Sequence, residues 1–493
     1  MKARAIMVLG CTSGAGKSWL ATALCRWYHR RGFDVAPFKA QNMSNHARVV
    51  ALEGGGTGEI GSAQYFQALA AGVEPGAGMN PVLLKPEAGG RAQVVVNGRV
   101  DPALGAMPWR ERGSHLWPIA REALDALGAR HGLLVIEGAG SPAEINLAAE
   151  DYVNTRTAVH AAAACLLVAD IDPGGAFAHL YGTHALMDAR VRSQLRGFVL
   201  NRFRGDPALL APGPGQLVAL TGVPVIGVVP HVRDHGLPEE DAVPRNAHEP
   251  PQVVVIACPH ASNLDEFESL RRAGIRVAFA TDRATVANAR WLVLPGSKHT
   301  LADLAWLRST GLDEAVRAHA RAGLPLLGIC GGMQLLGERI EDPQGIEGGL
   351  PASEPGLALL PLRTRFEADK LLVKTRARFG MLHGAWAALT GVEADGYEIR
   401  LGRSTPGQGD FRDQDEGDID SVLRRTGDTA PIGWQQQSVL GVYLHGLFEN
   451  PAVVAALFGV TPEPLEAVFD RLADTLDGAF APSVLDALAD PGR

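Results

Sequence analysis

Residues 324–337 read LPLLGICGGMQLLG and place a cysteine between an apolar run and a helical pattern. The run LPLLGI predicts a buried strand, and MQLLGERI predicts a helix. The two glycines after Cys330 let a tight turn close and leave room for backbone N–H groups to hold an oxyanion. The start of a helix just after a cysteine favours its thiolate. Residues 324–337 therefore predict a nucleophile held at a strand-to-helix turn.

A cysteine nucleophile needs a base, and the best candidate lies in YLHGLF (443–448). His445 follows a short apolar strand pattern, GVYL, which gives it the most favourable context among the 15 histidines. Gly296, in LVLPGSKHT, ends another predicted strand of the same region. Its backbone N–H is a candidate oxyanion donor. Together, Cys330, His445 and Gly296 predict a nucleophile with its base and an oxyanion donor.

A second kind of site is predicted near the N-terminus, where residues 10–18 read GCTSGAGKS between a strand pattern and a helix pattern. A glycine-rich turn that opens a helix directs backbone N–H groups at phosphate oxygens. Cys11 stands where the strict GxxxxGK[ST] pattern has glycine, so the anchoring glycine lies one residue further out. Lys17 would add a charge at the outer phosphates, and Ser18 would ligate Mg²⁺. The expected nucleotide-binding residues are Gly10, Thr12, Ser13, Gly14, Gly16, Lys17 and Ser18.

Two further segments supply candidates for the same site. LLVIEGAGS (133–141) is a buried strand that ends in Glu137, and ligands of open parallel sheets bind at that edge, so Glu137 is a candidate Mg²⁺ ligand. PFKAQNMSNHA (37–47) has many polar residues among apolar ones. Lys39, Gln41 and Asn42 are candidates to contact nucleotide or an acidic substrate, although Asn and Ser also serve turns and caps.

Composition limits the class of protein. A chain of 493 residues is too long for one ordinary core and favours two or three domains. The formal net charge is −8 and there is no basic block, which argues against a nucleic-acid partner. No apolar run reaches the roughly 18 residues of a membrane helix. The five cysteines form no CxxC pair, which favours a reducing cytoplasm.

The hydrophobic pattern divides the chain into domains. Short runs rich in Val, Ile and Leu alternate with helical patterns, as in strands buried on both faces of a parallel sheet. The pattern predicts an α/β protein with two doubly wound, mostly parallel sheets, in residues 1–232 and 252–450. The polar, proline-rich residues 233–251 are predicted to be a linker, and residues 404–420 an exposed or disordered loop. The tail, 451–493, is predicted to be helical and to pack on the second domain.

These motifs together resemble known families. PGS, GICGGMQLLG and YLHG resemble class I (triad) glutamine amidotransferases, and the N-terminal loop is similar to that of dethiobiotin synthetase. Joined in this order, and with PFKAQNMSN, EGAGSPAEINL and GFVLNRFRGD, they resemble the cobyric acid synthase family over nearly the whole chain. The resemblance implies a P-loop NTPase-like domain followed by a flavodoxin-like amidotransferase domain.

The resemblance also implies a reaction. It implies ATP- and glutamine-dependent amidation, with Mg²⁺, of the b, d, e and g carboxylates of (adenosyl)cobyrinic acid a,c-diamide, through acyl phosphates. Asp151 would position substrate or metal, with helix capping as the alternative. Amidotransferases of this class usually carry glutamate two residues after the histidine, where this chain has Leu447, so a Cys330–His445 pair is expected to suffice. Whether the chain forms a homo-oligomer is left open by the sequence.

The chain departs from the family at three further positions, Ser62, Pro173 and His46, so contacts to corrin or ATP there are expected to differ. Three alternatives remain. One is an amidotransferase-ligase with another substrate, such as cobyrinic acid a,c-diamide synthase. Another is a non-enzymatic P-loop switch, in which Cys330 and His445 have no role. The third is a homologue whose ligase site is inactive.

Overall fold

The chain forms two compact α/β units. The computed structural model describes residues 3–86, 92–232, 235–238, 251–407, 419 and 421–490. Unit 1 comprises Met1–Ser44, Val50–Leu237 and Pro464–Arg493, and unit 2 comprises Asn45–Val49 and Pro238–Glu463. Most of the predicted linker at 233–251 and most of the predicted loop at 404–420 lie outside the described residues. In the part of the chain described here, no helix has both the length and the apolar character that a membrane span requires.

Unit 1 is built on a six-stranded, wholly parallel sheet. In spatial order its strands are Val225–Pro230, Leu195–Phe203, Ala164–Asp170, Arg4–Gly10, Leu133–Glu137 and Val35–Phe38. Every one of these strands lies in an apolar run that predicted a strand. The shorter strands of the N-terminal half are Gln41–Met43, Ala47–Ala51, Thr57–Gly61, Val82–Pro86, Ala92–Val96 and Arg99–Val100.

Helices cover both faces of the unit 1 sheet, and a hydrophobic cluster fills the space on each face. The α-helices described in this unit are Lys17–Arg30, Ser62–Ala70, Pro102–Ala106, Trp109–Arg130, Thr157–Ala161, Ala176–Leu186, Ala189–Ser193, Gly213–Thr221, Leu465–Ala479 and Pro482–Ala489. Since the strands are buried on both faces, they show no in–out alternation in sequence.

Unit 2 is built on an 11-stranded sheet, of which five adjacent strands are parallel. These five are, in spatial order, Val277–Ala280, Val253–Ile256, Trp291–Leu294, Leu326–Ile329 and Val439–Val442. Numbered along the unit, their order is 2-1-3-4-5, the flavodoxin-like order that the family resemblance implied. The predicted fold class is therefore confirmed.

The rest of that sheet is mostly antiparallel, which the sequence pattern did not predict. Its strands are Pro431–Gln436, Ser421–Arg425, Leu362–Phe379, Arg339–Asp342, Ala352–Pro355 and Glu393–Pro406. A separate pair joins Ala261–Ser262 to Gly296–Ser297. The α-helices described in this unit are Glu268–Arg272, Arg283–Ala287, Thr300–Thr310, Leu312–Arg321, Gly331–Leu336 and Pro451–Phe458.

The C-terminal tail is helical, as predicted, and residues 451–463 belong to unit 2 as expected, but the expectation that the rest of the tail packs on the second domain was wrong. Residues 464–493 belong to unit 1. Phe469 and Leu472 are fully buried in the same cluster as Trp27, whose indole Nε1 donates to Asp477 Oδ1 at 2.8 Å. The tail helix has one apolar face, and sequence periodicity does not specify which partner covers such a face.

We predict that Phe469→Ala lowers the free energy of unfolding of unit 1 by about 3–5 kcal/mol, because it empties a fully buried aromatic site. Chemical denaturation of the full chain, followed by a probe on unit 1, measures the change. Asp474→Ala on the same helix, where the aspartate side chain is 61% exposed, is the matched control and should change it by less than ~1 kcal/mol. An equal effect of both substitutions would contradict the packing described here.

Candidate functional site: a phosphate loop and a cysteine turn

The glycine-rich loop lies between the central strand Arg4–Gly10 and the helix Lys17–Arg30, at the carboxyl edge of the unit 1 sheet. Its residues Thr12, Ser13 and Gly14 are exposed. Lys17 is buried, and its Nζ donates to the carbonyls of Thr12, Ser13 and Gly140 at 2.9, 3.1 and 3.2 Å. The Lys17 ammonium group is thus held by the loop carbonyls, at the carboxyl edge of the sheet where a phosphate would bind.

Two glycines of the loop, Gly10 and Gly16, are required by space, and Gly16 also by its backbone conformation. Gly16 has φ +92°, and a Cβ there would lie 2.0 Å from Asn201 Nδ2. That amide group donates to the Ala15 carbonyl at 2.9 Å and holds the loop from the strand Leu195–Phe203, which lies two strands from Arg4–Gly10 in the sheet. A Cβ on Gly10 would meet Lys17 Nζ at 3.0 Å. Gly10 and Gly16 therefore let the lysine and Asn201 pack against the loop backbone.

Glu137 is the centre of a buried polar cluster next to this loop. Ser18 Oγ donates to Glu137 Oε1 at 2.8 Å, and Lys39 Nζ lies 2.8 Å from the same oxygen. Gln67 Nε2 donates to the other carboxylate oxygen at 2.6 Å. Burial alone would raise the pKa of Glu137, but Lys39 and the amide donor outweigh it and lower the pKa below its usual range. The carboxylate is therefore ionised in the folded protein.

The remaining predicted residues of unit 1 lie around this cluster. Gln41 Oε1 accepts from the Tyr152 hydroxyl at 2.6 Å, and Asn42 is buried against Gly61, where a Cβ would lie 2.5 Å from its Nδ2. Asp151 accepts from the backbone N–H groups of Asn154 and Thr155 at 2.9 and 3.1 Å. Asp151 thus caps a short helical turn, which was the alternative to its role at the substrate.

In unit 2 the predicted turn is present. Cys330 lies between the strand Leu326–Ile329 and the helix Gly331–Leu336, with φ +49° and ψ −106°, a conformation that costs energy for a residue with a side chain. A Cβ on Gly331 would lie 2.7 Å from the Ser297 nitrogen, and one on Gly332 only 2.0 Å from the Leu294 carbonyl oxygen. The two glycines therefore let the turn pack directly on the neighbouring strand and its loop.

His445 is placed beside Cys330 by the adjacent parallel strand, Val439–Val442. Its imidazole interacts electrostatically with the Cys330 side chain, and the Cys330 thiol donates to the Ile399 carbonyl at 3.5 Å. Burial disfavours the imidazolium, but the negative charge of Cys330 and the bond to a glutamate outweigh burial and raise the pKa of His445 to about 10. The imidazolium form of His445 is thus favoured at neutral pH.

The glutamate is Glu266, which was not predicted. Its Oε1 lies 3.1 Å from His445 Nδ1, and its Oε2 accepts from the Gly446 backbone N–H at 3.0 Å. Glu266 and His445 are almost completely inaccessible. The structure therefore adds a carboxylate to the expected Cys–His pair. Position 447, where related amidotransferases carry a glutamate, is leucine, and Glu266 lies 181 positions earlier in the chain.

Gly296 faces the histidine. A Cβ at Gly296 would lie 2.7 Å from His445 Cε1, so no larger residue fits. The loop around it is anchored by Asp303, which accepts from the Ser297 hydroxyl at 2.6 Å and lies 2.9 Å from His260 Nδ1. This places Gly296 beside the cysteine turn. Its role as an oxyanion donor stays a prediction.

Sequence reasoning missed three functional candidates for different reasons. Gln64 and Gln67 lie one turn apart on the helix Ser62–Ala70, and both side-chain amides donate to Glu137. This i, i+3 spacing of two glutamines is visible in the sequence. Asn201 stands in GFVLNRF, a motif that was noted without assigning the residue. Glu266 in NLDEFESL shows no signal in sequence, since only the fold brings it to His445.

Family profiles match each half of the chain. A profile described as the CobQ/CobB/MinD/ParA nucleotide binding domain matches residues 6–242, and one described as the CobB/CobQ-like glutamine amidotransferase domain matches residues 252–453. Together with the two sites, they define a nucleotide-dependent ligase fused to a glutamine amidotransferase.

Similarity to curated proteins extends over the whole chain. It is 58% identical to cobyric acid synthase of Leptothrix cholodnii, over 99% of this chain and 98% of that protein. It is 57% identical to cobyric acid synthase of Methylibium petroleiphilum, over 100% of this chain and 98% of that protein. The chain belongs to the cobyric acid synthase family. It is therefore a glutamine-hydrolysing ligase that uses ATP and acts in cobalamin biosynthesis.

Similarity to solved structures is weaker. A crystal structure of a glutamine amidotransferase covers 45% of this chain and 98% of its own, with 21% identity and a TM-score of 0.30. This value is too low to add to the assignment.

We predict that Gly16→Ala destabilises unit 1 by about 1–2 kcal/mol or more, because the backbone is left-handed there and the new Cβ would displace Asn201. Gly14→Ala is the matched comparison, since a Cβ at Gly14 meets nothing within 4 Å, and it should cost less than ~1 kcal/mol. Thermal or chemical unfolding compares the two. Equal costs would show that the approach of Asn201 does not constrain the loop.

We predict that Glu266→Gln lowers kcat for glutamine hydrolysis by about 10²- to 10⁴-fold. The two oxygens of Glu266 face two donors, His445 Nδ1 and the Gly446 N–H, and an amide offers an acceptor to only one of them. Glutamate release measures the loss. Glu314→Gln, at a side chain of unit 2 that is 70% exposed, is the control. Unchanged hydrolysis in Glu266→Gln would mean that the Cys–His pair suffices.

Proposed function

We propose that this chain amidates the b, d, e and g carboxylates of (adenosyl)cobyrinic acid a,c-diamide to give cobyric acid, with ATP as activator and glutamine as nitrogen source. The proposal is supported above all by one observation. A single chain carries a phosphate loop with a buried acid, Glu137, and a cysteine turn with an ordered histidine, Cys330 and His445. Full-length similarity to cobyric acid synthases supports the choice of substrate.

Activation of the carboxylate is assigned to unit 1. A carboxylate is a poor electrophile, and transfer of the terminal phosphoryl group of ATP to one of its oxygens gives an acyl phosphate. Lys17 and Lys39 place two positive charges at this site and would stabilise charge on the transferred group. Gln41 and Asn42, in the strand that follows Lys39, are assigned to substrate or nucleotide contact.

The site also fits Mg²⁺. Ser18 Oγ and Glu137 Oε1 lie 2.8 Å apart, and Mg²⁺ in nucleotide sites takes one or two such oxygens, with water and phosphate in the remaining positions. No cluster of three or more acidic, histidine or cysteine ligands occurs among the residues described, which agrees with a metal held partly by ATP. When bound, Mg²⁺ would offset the negative charge of the phosphates. Lys39 holds Glu137 in its ionised form, ready to serve as a ligand.

Nitrogen release is assigned to unit 2. The Cys330 thiolate attacks the side-chain amide carbon of glutamine, the C–N bond breaks, and His445 gives its proton to the departing ammonia. Glu266 holds the imidazole by Nδ1, so that Nε2 faces the reacting atoms. Water then cleaves the thioester and releases glutamate, with His445 as base. Gly296 is assigned a backbone N–H in the oxyanion site.

The two half-reactions meet when ammonia attacks the acyl phosphate carbon and inorganic phosphate leaves, which forms the new amide. Asp151 is proposed to act near the carboxylate that is activated, in addition to capping its own helical turn. The five cysteines are free thiols, which agrees with the proposed cytoplasmic location. A homo-oligomeric state stays a proposal.

A nucleotide-dependent switch without catalytic activity gives no role to the buried Cys330–His445–Glu266 arrangement. An amidotransferase-ligase for another carboxylate would use the same chemistry. That alternative differs from the proposed enzyme only in the substrate it accepts, so the decisive test varies the corrin substrate and the nitrogen source separately.

We predict that Cys330→Ala abolishes amidation of a corrin a,c-diamide with glutamine but keeps amidation with ammonium, because only nitrogen release requires the thiolate. Product masses after incubation with ATP and Mg²⁺ measure both reactions, and four added amides are expected with the wild type. Cys258→Ala, another buried cysteine of unit 2, is the matched control and should keep both activities. If the wild-type chain amidates nothing from either nitrogen source, the substrate assignment fails.

A further inference from the structure

Five residues of the N-terminal half belong to unit 2. The chain leaves unit 1 after Ser44 and returns at Val50, so that Asn45–Val49 is part of unit 2. Inside unit 2 the Ala47 N–H donates to Asn263 Oδ1 at 3.0 Å. Arg48 Nε donates to Asp265 Oδ2 at 3.0 Å, and its Nη1 donates to Glu449 Oε2 at 2.8 Å. The Arg48 side chain is only 3% exposed.

Both partners of Arg48 are close in sequence to the catalytic arrangement. Asp265 directly precedes Glu266, and Glu449 is four residues after His445. Arg48 therefore holds the two segments that carry the glutamate and the histidine.

A second path leads from Arg48 to the imidazole through an aromatic ring. The Arg48 guanidinium carbon lies 5.2 Å from the centre of the Tyr397 ring. That ring stacks on His445, with centroids 5.4 Å apart and planes inclined by 17°. The backbones of Tyr397 and His445 also exchange hydrogen bonds at 3.2 and 2.9 Å. The histidine ring is thus fixed from the side that Glu266 does not touch.

Charge explains why an arginine is needed. Asp265 and Glu266 are adjacent carboxylates, both buried, and two such charges disfavour each other. Burial raises the pKa of Glu266 and the Asp265 charge adds to that rise, whereas His445 and the Gly446 N–H oppose it. Two basic side chains lie beside Asp265, namely Arg48 and His46, whose Nδ1 is 3.9 Å from Asp265 Oδ1. Arg48 is the permanent positive charge of this pair, because Asp265 and Glu449 hold its pKa well above the usual range despite burial.

We propose that Arg48 is a positioning residue for glutamine hydrolysis: by neutralising Asp265 it keeps Glu266 ionised and bound to His445. The inference rests on the proposed reaction at Cys330. Arg48 lies six positions after Asn42 in the chain. The amidotransferase profile matches residues 252–453 and so does not include this residue of the glutamine site. The glutamine site is therefore incomplete without this insertion from the N-terminal half.

The test compares three variants of the full-length chain. Arg48→Met removes the charge at similar length, and kcat for glutamine hydrolysis should fall at least about tenfold, because an Asp265 charge that is no longer neutralised disfavours ionised Glu266 and its hold on His445. The KM for glutamine should stay within about twofold of wild type, since Arg48 acts through Glu266 and not on the substrate. Arg48→Lys keeps the charge, and its kcat for glutamine hydrolysis should lie between those of wild type and Arg48→Met. Arg48→Met combined with Asp265→Asn removes both charges and should recover most of the lost rate.

Controls separate this role from a merely structural one. Arg283→Met breaks an exposed ion pair of unit 2 and should leave glutamine hydrolysis unchanged. Ammonium-driven amidation, measured on the same preparations, should stay at the wild-type level in every Arg48 variant. Equal loss of both activities in Arg48→Met, or no recovery in the double variant, would overturn the proposal. Glutamine hydrolysis is measured without a corrin, so failure of the substrate assignment would appear separately, as a wild type that hydrolyses glutamine but amidates nothing.

Discussion

Close packing at the carboxyl ends of two parallel sheets is the constraint on which both sites depend. In unit 1, Gly16 lies where a Cβ would fall 2.0 Å from Asn201 Nδ2, so the phosphate loop packs directly against that side-chain amide. In unit 2, a Cβ on Gly332 would fall 2.0 Å from the Leu294 carbonyl oxygen, so the cysteine turn packs against the backbone of the adjacent strand. Each loop is held at a glycine by a close contact, and the reactive side chain, Lys17 or Cys330, is carried by that loop.

The same edge concentrates buried charge, and the two units stabilise it differently. Glu137 accepts from three side chains, Ser18, Lys39 and Gln67. Glu266 instead has one side-chain partner, His445, and one backbone donor, the Gly446 N–H. A carboxylate that holds an imidazole in a single orientation suits repeated proton transfer.

Chain order and spatial order also differ in two places. The C-terminal helix Leu465–Ala479 returns to unit 1 and covers the face that contains Trp27. Residues Asn45–Val49 leave unit 1 and bring Arg48 to the buried carboxylate Asp265 in unit 2. Each unit therefore includes a piece of chain from outside its own continuous stretch. Fragments of the chain cut at the boundaries of the two family profiles would lack the tail and, in the amidotransferase half, Arg48.

The sequence by itself determined the parallel strands, the two functional turns and the family. Short apolar runs such as AIMVLG and LPLLGIC, each followed by glycines and a helical pattern, indicate strands buried on both faces, and a parallel sheet then brings their carboxyl ends, with Lys17, Glu137 and Cys330, to an edge. Only the tertiary structure decided what completes each site. Glu266 reaches His445 across 179 positions, and Gln67 reaches Glu137 across 70, through contacts that local periodicity does not encode. The same holds for the tail, because an apolar helix face specifies that it must be covered but not by which sheet.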